Sequence, residues 1–133
     1  MFGKIEHIGI AVENLDSAIP QYEALTGSKC YKKETVDSEG VITAFFKMGE
    51  SKIELLQATN ENSAIAKFIS KKGEGFHHIA YAVDDILSEM EKARNAGIRV
   101  LNEEPKEGAD NKIICFLHPK DNNGVLVELC QDK

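Results

Sequence analysis

One string occurs twice in this chain, and that repetition limits what the chain can fold into. His7-Ile8-Gly9-Ile10-Ala11-Val12-Glu13 returns as His78-Ile79-Ala80-Tyr81-Ala82-Val83-Asp84. An amphipathic stretch follows each copy and stops at a glycine, from Asn14 to Gly27 and from Asp85 to Gly97. Near the end of each half, Ile53-Glu54-Leu55 returns as Val127-Glu128-Leu129. The histidines are 71 residues apart and the glutamates 74, so a few loop residues separate the two spacings. Two matched blocks in the same order point to two similar supersecondary units that stack to share a core.

Each half reads as strand, helix, strand, strand, strand. Residues 5–12 alternate, with Ile8, Ile10 and Val12 on one face. Residues 15–26 place Leu15, Ile19, Tyr22 and Leu25 near helical spacing, and Gly27 stops the helix. Pro20 removes a backbone donor inside that stretch, which predicts a delayed start or a kink. Strands are expected at 29–37, 41–48 and 52–58, then at 77–83, 98–104, 112–118 and 124–131, with a helix over 85–96. Between the halves Ser63 is placed to cap a short helix from Ala64 to Lys72 that ends at Gly73.

Composition narrows the class. With 133 residues, 42% hydrophobic and 29% charged, the chain can bury a core and is not disordered. The expectation is one domain, residues 1–133, with a first module at about 4–60, a linking helix at about 63–73 and a second module at about 76–131. A net charge of −6 argues against nucleic acid as partner. No apolar run reaches the roughly 20 residues of a membrane span, and MFGKIEHIGI carries no signal-peptide pattern. The three cysteines, Cys30, Cys115 and Cys130, form no close pair and read as reduced, mostly buried thiols of a cytoplasmic protein.

Strand parity picks out the candidate site. His7 shares a face with Gly9 and Ala11, and His78 with Ala80 and Ala82, so each histidine sits on the less bulky side of its strand. Glu54 and Glu128 each interrupt an apolar string, where a carboxylate is costly to bury without a partner or cation. Either carboxylate alone could simply face solvent, and either histidine alone could be structural. Two imidazoles and two carboxylates from equivalent positions of a repeat instead suit one octahedral divalent ion with two open positions. His77 points to the other face and reads as structural. His118, in Phe116-Leu117-His118-Pro119-Lys120, reads first as a capping or packing residue and second as a substrate contact.

On these strings the chain resembles the vicinal-oxygen-chelate superfamily, which includes glyoxalases, extradiol dioxygenases and antibiotic-binding proteins. Within it the likeness is strongest to the CoA-thioester epimerases. That finer likeness is carried by Ala64-Ile65-Ala66-Lys67-Phe68, Gly73-Glu74-Gly75-Phe76-His77-His78 and the His118-Pro119-Lys120 run. The resemblance implies an α+β fold in which two paired βαβββ modules form a curved, roughly eight-stranded mixed sheet around a metal site. It implies metal ligands at His7, Glu54, His78 and Glu128, with one divalent ion, Co, Ni, Mn, Zn or Mg, and no organic cofactor. It implies a CoA thioester substrate and a homodimer. The implied activity is epimerisation of methylmalonyl-CoA between its 2R and 2S forms, through an enediolate stabilised by the metal.

Glu128 and Glu54 are then the candidate acid/base pair, and Lys120, His118 and Thr43 candidate substrate contacts. Thr43 stands where some relatives carry a glutamate proposed as general base, a function its hydroxyl performs poorly at neutral pH. Two other readings stay open: a glyoxalase-type isomerase acting on a thiol hemithioacetal, and a non-catalytic antibiotic-binding protein of the same fold. An extradiol dioxygenase fits less well, because that chemistry favours two His, one carboxylate and more open positions on iron.

Overall fold

Alternation gives the strands of this chain and helical spacing the helices that pack on them. The computed structural model describes all 133 residues. Its elements are β1 (Phe2–Ala11), α1 (Leu15–Thr26), β2 (Lys32–Val36), β3 (Val41–Met48), β4 (Ser51–Ala58), α2 (Ala64–Lys72), β5 (Gly75–Val83), α3 (Ile86–Asn95), β6 (Lys106–Glu107), β7 (Lys112–Leu117) and β8 (Val127–Asp132). The eight strands hydrogen-bond in the order β2-β3-β4-β1-β5-β8-β7-β6. The sheet is mixed: β5 pairs with β8 in parallel, while β2–β3, β3–β4, β6–β7 and β7–β8 are antiparallel. This is the α+β fold that the resemblance implies.

The chain divides into two compact units, Ile8–His77 and Met1–His7 with His78–Lys133. In the first, Leu15 and Ala18 of α1 pack on Ala44, Phe46 and Leu55, the inward set of β3 and β4. In the second, Ile86, Met90 and Ala93 of α3 pack on Cys115, Leu117, Val127 and Leu129. Both helices follow from apolar residues at 3–4 residue spacing meeting a strand face of period two. The opposite strand faces carry the candidate site residues.

Helix starts repeat too. Asn14 accepts from the Asp16 N–H and Asp85 from the Ser88 N–H. The next free donor of each helix is met from the sheet: Leu15 N–H donates to Gln57 Oε1 and Ile86 N–H to Gln131 Oε1, both at 2.7 Å. Gln57 and Gln131 lie three residues past Glu54 and Glu128, so the same strand that presents the carboxylate anchors the helix of its half.

Three expectations are corrected. Pro20 does not delay α1, which runs unbroken from Leu15. The strand expected from residue 29 begins at Lys32. Residues 98–104 are not a strand. Val100 makes one isolated bridge to Leu117, but the Asn102 side chain then takes the Phe116 N–H at 2.9 Å, occupying the donor a ladder would use. Pro105 follows, without an N–H, and pairing resumes only in the short edge strand β6. The helix Ala64–Lys72 forms as expected, with Ser63 Oγ accepting from the Ala66 N–H at 3.1 Å.

Candidate metal centre

β1, β5 and β8 supply three side chains to one point. His7 Nε2 lies 3.0 Å from His78 Nε2. The Glu128 carboxylate Oε1 lies 3.0 Å from His78 Nε2 and 3.5 Å from His7 Nε2. All three residues are at most 5% exposed. Local structure explains the convergence. Glu128 is registered between Ala80 on β5 and Phe116 on β7, and the small Ala80 leaves room beside the carboxylate. His78, two residues before Ala80, meets the Phe116 ring edge-on at 5.8 Å. The apolar neighbours of Glu128, Val127 and Leu129, are committed to the α3 core, which leaves the carboxylate on the opposite face.

Burial opposes charge on Glu128, yet hydrogen bonds and charge from His7 and His78 hold its carboxyl well below the usual carboxylate range. An ionised carboxylate with two imidazole nitrogens is a donor set for a divalent cation. With metal–ligand bonds of about 2.0–2.1 Å, neighbouring donors lie roughly 2.8–3.0 Å apart on an octahedral ion and roughly 3.3–3.4 Å apart on a tetrahedral one. Two of the observed spacings, both 3.0 Å, meet that requirement and the third, 3.5 Å, lies just beyond it, so the residues present fit the ion.

Glu54 occupies the equivalent place in the other unit. It is buried on β4, registered opposite Phe45, with one carboxylate oxygen 3.7 Å from the Lys52 ammonium. Lys52 is itself buried, and its ammonium and that of Lys32 stand 5.4 and 5.3 Å from the Phe45 ring centre. Thr43 lies on the same face of β3 as Phe45. It is 1% exposed, and its hydroxyl has no hydrogen-bond partner. An orphaned buried hydroxyl is costly to keep without a partner.

His118 and Lys120 lie on the turn into β8. The His118 ring accepts the Lys120 N–H at 3.1 Å and caps the 3-10 turn Pro119–Asp121, while Lys120 is exposed. His77 packs edge-on against Phe68 at 5.0 Å, in keeping with a structural role. Sequence reasoning passed over three residues. Glu6 Oε1 is 2.8 Å from His7 Nδ1, the Cys130 thiol donates to Glu128 Oε2 at 2.9 Å, and Lys52 neighbours Glu54. Cys130 and Lys52 were readable, since each lies two residues from a candidate carboxylate and shares its face. Glu6 gave no such signal, because neighbours on a strand alternate faces.

A fold and donor set of this kind define a class. The chain belongs to the glyoxalase/bleomycin resistance protein/dioxygenase superfamily, whose profile matches residues 6–116. Its relatives are more particular. It is 44% identical to the ethylmalonyl-CoA/methylmalonyl-CoA epimerase of Cereibacter sphaeroides, over 98% of this chain and 99% of that protein. It is 40% identical to the human mitochondrial methylmalonyl-CoA epimerase, over 97% of this chain and 74% of that protein. A variant of the Streptomyces coelicolor methylmalonyl-CoA epimerase, solved in complex with 2-nitronate-propionyl-CoA, superposes with a TM-score of 0.95. The alignment has 39% identity and covers 99% of both chains.

Proposed function

We propose that this chain is a metal-dependent isomerase that interconverts the 2R and 2S forms of methylmalonyl-CoA. The observation that carries the reading is the convergence of His7 Nε2, His78 Nε2 and Glu128 Oε1 within 3.5 Å of one another, in a chain that matches epimerases of this substrate along their length. His7, His78 and Glu128 would hold one divalent cation, Co, Ni, Mn, Zn or Mg, with Glu54 as fourth ligand on the strength of the repeat. When bound, the ion stabilises negative charge on the thioester oxygen as the α-proton leaves.

The rest falls to the chain. Inversion requires proton removal on one face of the α-carbon and delivery on the other. Glu128 serves one face and Glu54 serves the other. Thr43 cannot replace a carboxylate as base, but its unpartnered hydroxyl meets a polar atom of the substrate. Lys120, with His118 beside it, offers positive charge to the anionic CoA thioester in a protein of net charge −6. The chain is proposed to work as a cytoplasmic homodimer. None of its three cysteines is in a disulfide, in keeping with a reducing compartment.

The test is chiral turnover of methylmalonyl-CoA, with α-proton exchange in D₂O, by metal-free protein reloaded with defined cations. Metal-restored inversion is the expected result. Turnover of a thiol hemithioacetal instead would make the protein a glyoxalase-type isomerase. Cation binding without turnover of either substrate would make it a binding protein.

A further inference from the structure

We propose that Glu6 and Cys130 are positioning residues that fix His7 and Glu128 for the cation; the inference rests on the metal-centre reading above. His7 has two ring nitrogens and each is engaged. Nε2 faces His78 and Glu128, and Nδ1 lies 2.8 Å from Glu6 Oε1. An ionised carboxylate can only accept, so Nδ1 carries the hydrogen. In the neutral imidazole this leaves the lone pair on Nε2, on the side of the metal centre. Glu6 therefore sets the tautomer and the ring angle at once, the function a carboxylate behind a metal-bound histidine performs generally.

Glu128 is divided in the same way. Oε1 faces the imidazoles, while Oε2 accepts the Cys130 S–H at 2.9 Å. One oxygen is thus offered to the cation and the other is tethered. Glu6 and Cys130 are both buried, so these contacts are shielded from water.

The repeat shows that this layer is particular to one set of ligands. The counterpart of Glu6 before His78 is His77, which packs on Phe68. The counterpart of Cys130 after Glu54 is Leu56, which has no side-chain donor. The ligand positions are duplicated, but Glu6 and Cys130 occur once.

Metal-free wild type, Glu6→Ala, Glu6→Gln, Cys130→Ala and Cys130→Ser are titrated with Co²⁺, followed by visible absorption and by the rise in Tm that the metal causes in each variant. Glu6→Ala is expected to weaken Co²⁺ binding by about 10–100-fold. Glu6→Gln, whose amide oxygen still accepts from Nδ1–H, should recover most of it. Cys130→Ala should weaken binding several-fold, and Cys130→Ser should restore it. In the zinc-loaded wild type, NMR of ¹⁵N-histidine should show His7 with a hydrogen-bonded Nδ1–H, a reading that needs no variant to fold.

Wild-type affinity in Glu6→Ala, or a His7 without that proton, would overturn the proposal and leave the metal centre standing. A wild type that binds no Co²⁺ would overturn the metal centre itself. Glu6, His7 and Cys130 also offer donor atoms within 4.8 Å of one another. Two Co²⁺ per chain with thiolate-to-cobalt absorption would make Glu6 and Cys130 ligands, and would overturn their role as positioning residues.

Discussion

Glu54 and Glu128 hold the same place in the repeat and have different neighbours. Glu128 lies against two imidazoles and a thiol, whereas Glu54 has the Lys52 ammonium 3.7 Å away. Around both, the scaffold is the same: an apolar residue on either side, a glutamine three residues on, and a helix whose first donor that glutamine meets. The connections differ as well. β3 and β4 are joined across Gly49-Glu50, with Met48 registered to Ser51, while the chain between Leu117 and Val127 makes the His118-capped turn. A repeated backbone keeps the candidate ligand positions, because strand alternation fixes their faces. Specialisation then enters one or two residues away, where a side chain can change without disturbing the ladder.

The largest effects should come from the paired histidines. His7→Ala and His78→Ala are each expected to lose most bound metal and roughly 10²–10³-fold of turnover, the usual scale for removing electrostatic stabilisation of a transition state. Chelator should do the same to wild type and lower its Tm, because a ligand of the folded state stabilises it by mass action. Full metal content in His78→Ala would break the equivalence of the two halves.

The carboxylates sharpen the comparison. Glutamine keeps an oxygen ligand and removes the base. Glu128→Gln should cost about 10²-fold or more in epimerisation and be the more damaging change. Glu54→Gln should retain metal and lose inversion, with some α-proton exchange from one enantiomer surviving. Near-normal turnover would remove Glu54 as second base and leave Glu128 as the one carboxylate base.

Lys120 belongs to the longer connection of the second half. Lys120→Ala should raise KM several-fold at unchanged metal content, with the difference shrinking in high salt. Unchanged kinetics at both low and high salt would return it to an ordinary solvated lysine.

The glutamine anchors test the symmetric part of the scaffold. Gln57→Ala and Gln131→Ala should each cost about 1 kcal/mol in denaturant unfolding, the scale of a lost cap. Clearly unequal losses would show that the two halves do not share strain and packing alike.

The smallest effect is confined to the second half. Arg99 hydrogen-bonds Asp121 and holds its carboxyl down at about 2, from an ordinary 3.8. A depressed acid contributes stability above its unfolded pKa and loses it as pH falls through the folded one. Arg99→Ala should therefore move acid unfolding slightly toward higher pH. The pair is exposed, so salt should erase the difference. An unchanged acid midpoint at low salt would show that the pair contributes nothing.

Much of this molecule was legible from local pattern. α1 ends at Gly27 and α2 at Gly73 because caps are set by a few adjacent residues. The faces of β5, β7 and β8 follow from alternation, which placed His78 and Glu128 away from the helix-packed core. What the sequence could not determine depends on partners far along the chain. Asn102 ends a ladder because Phe116 is opposite it, and Glu6 orients His7 through a contact that strand parity argues against. Cys130, packed with Ala80 and Ile114, also turns its thiol toward Glu128. Periodicity records which face a residue takes, since that depends on the backbone beside it. Which atoms meet across that face depends on strand pairing between distant segments, and only the folded chain decides it.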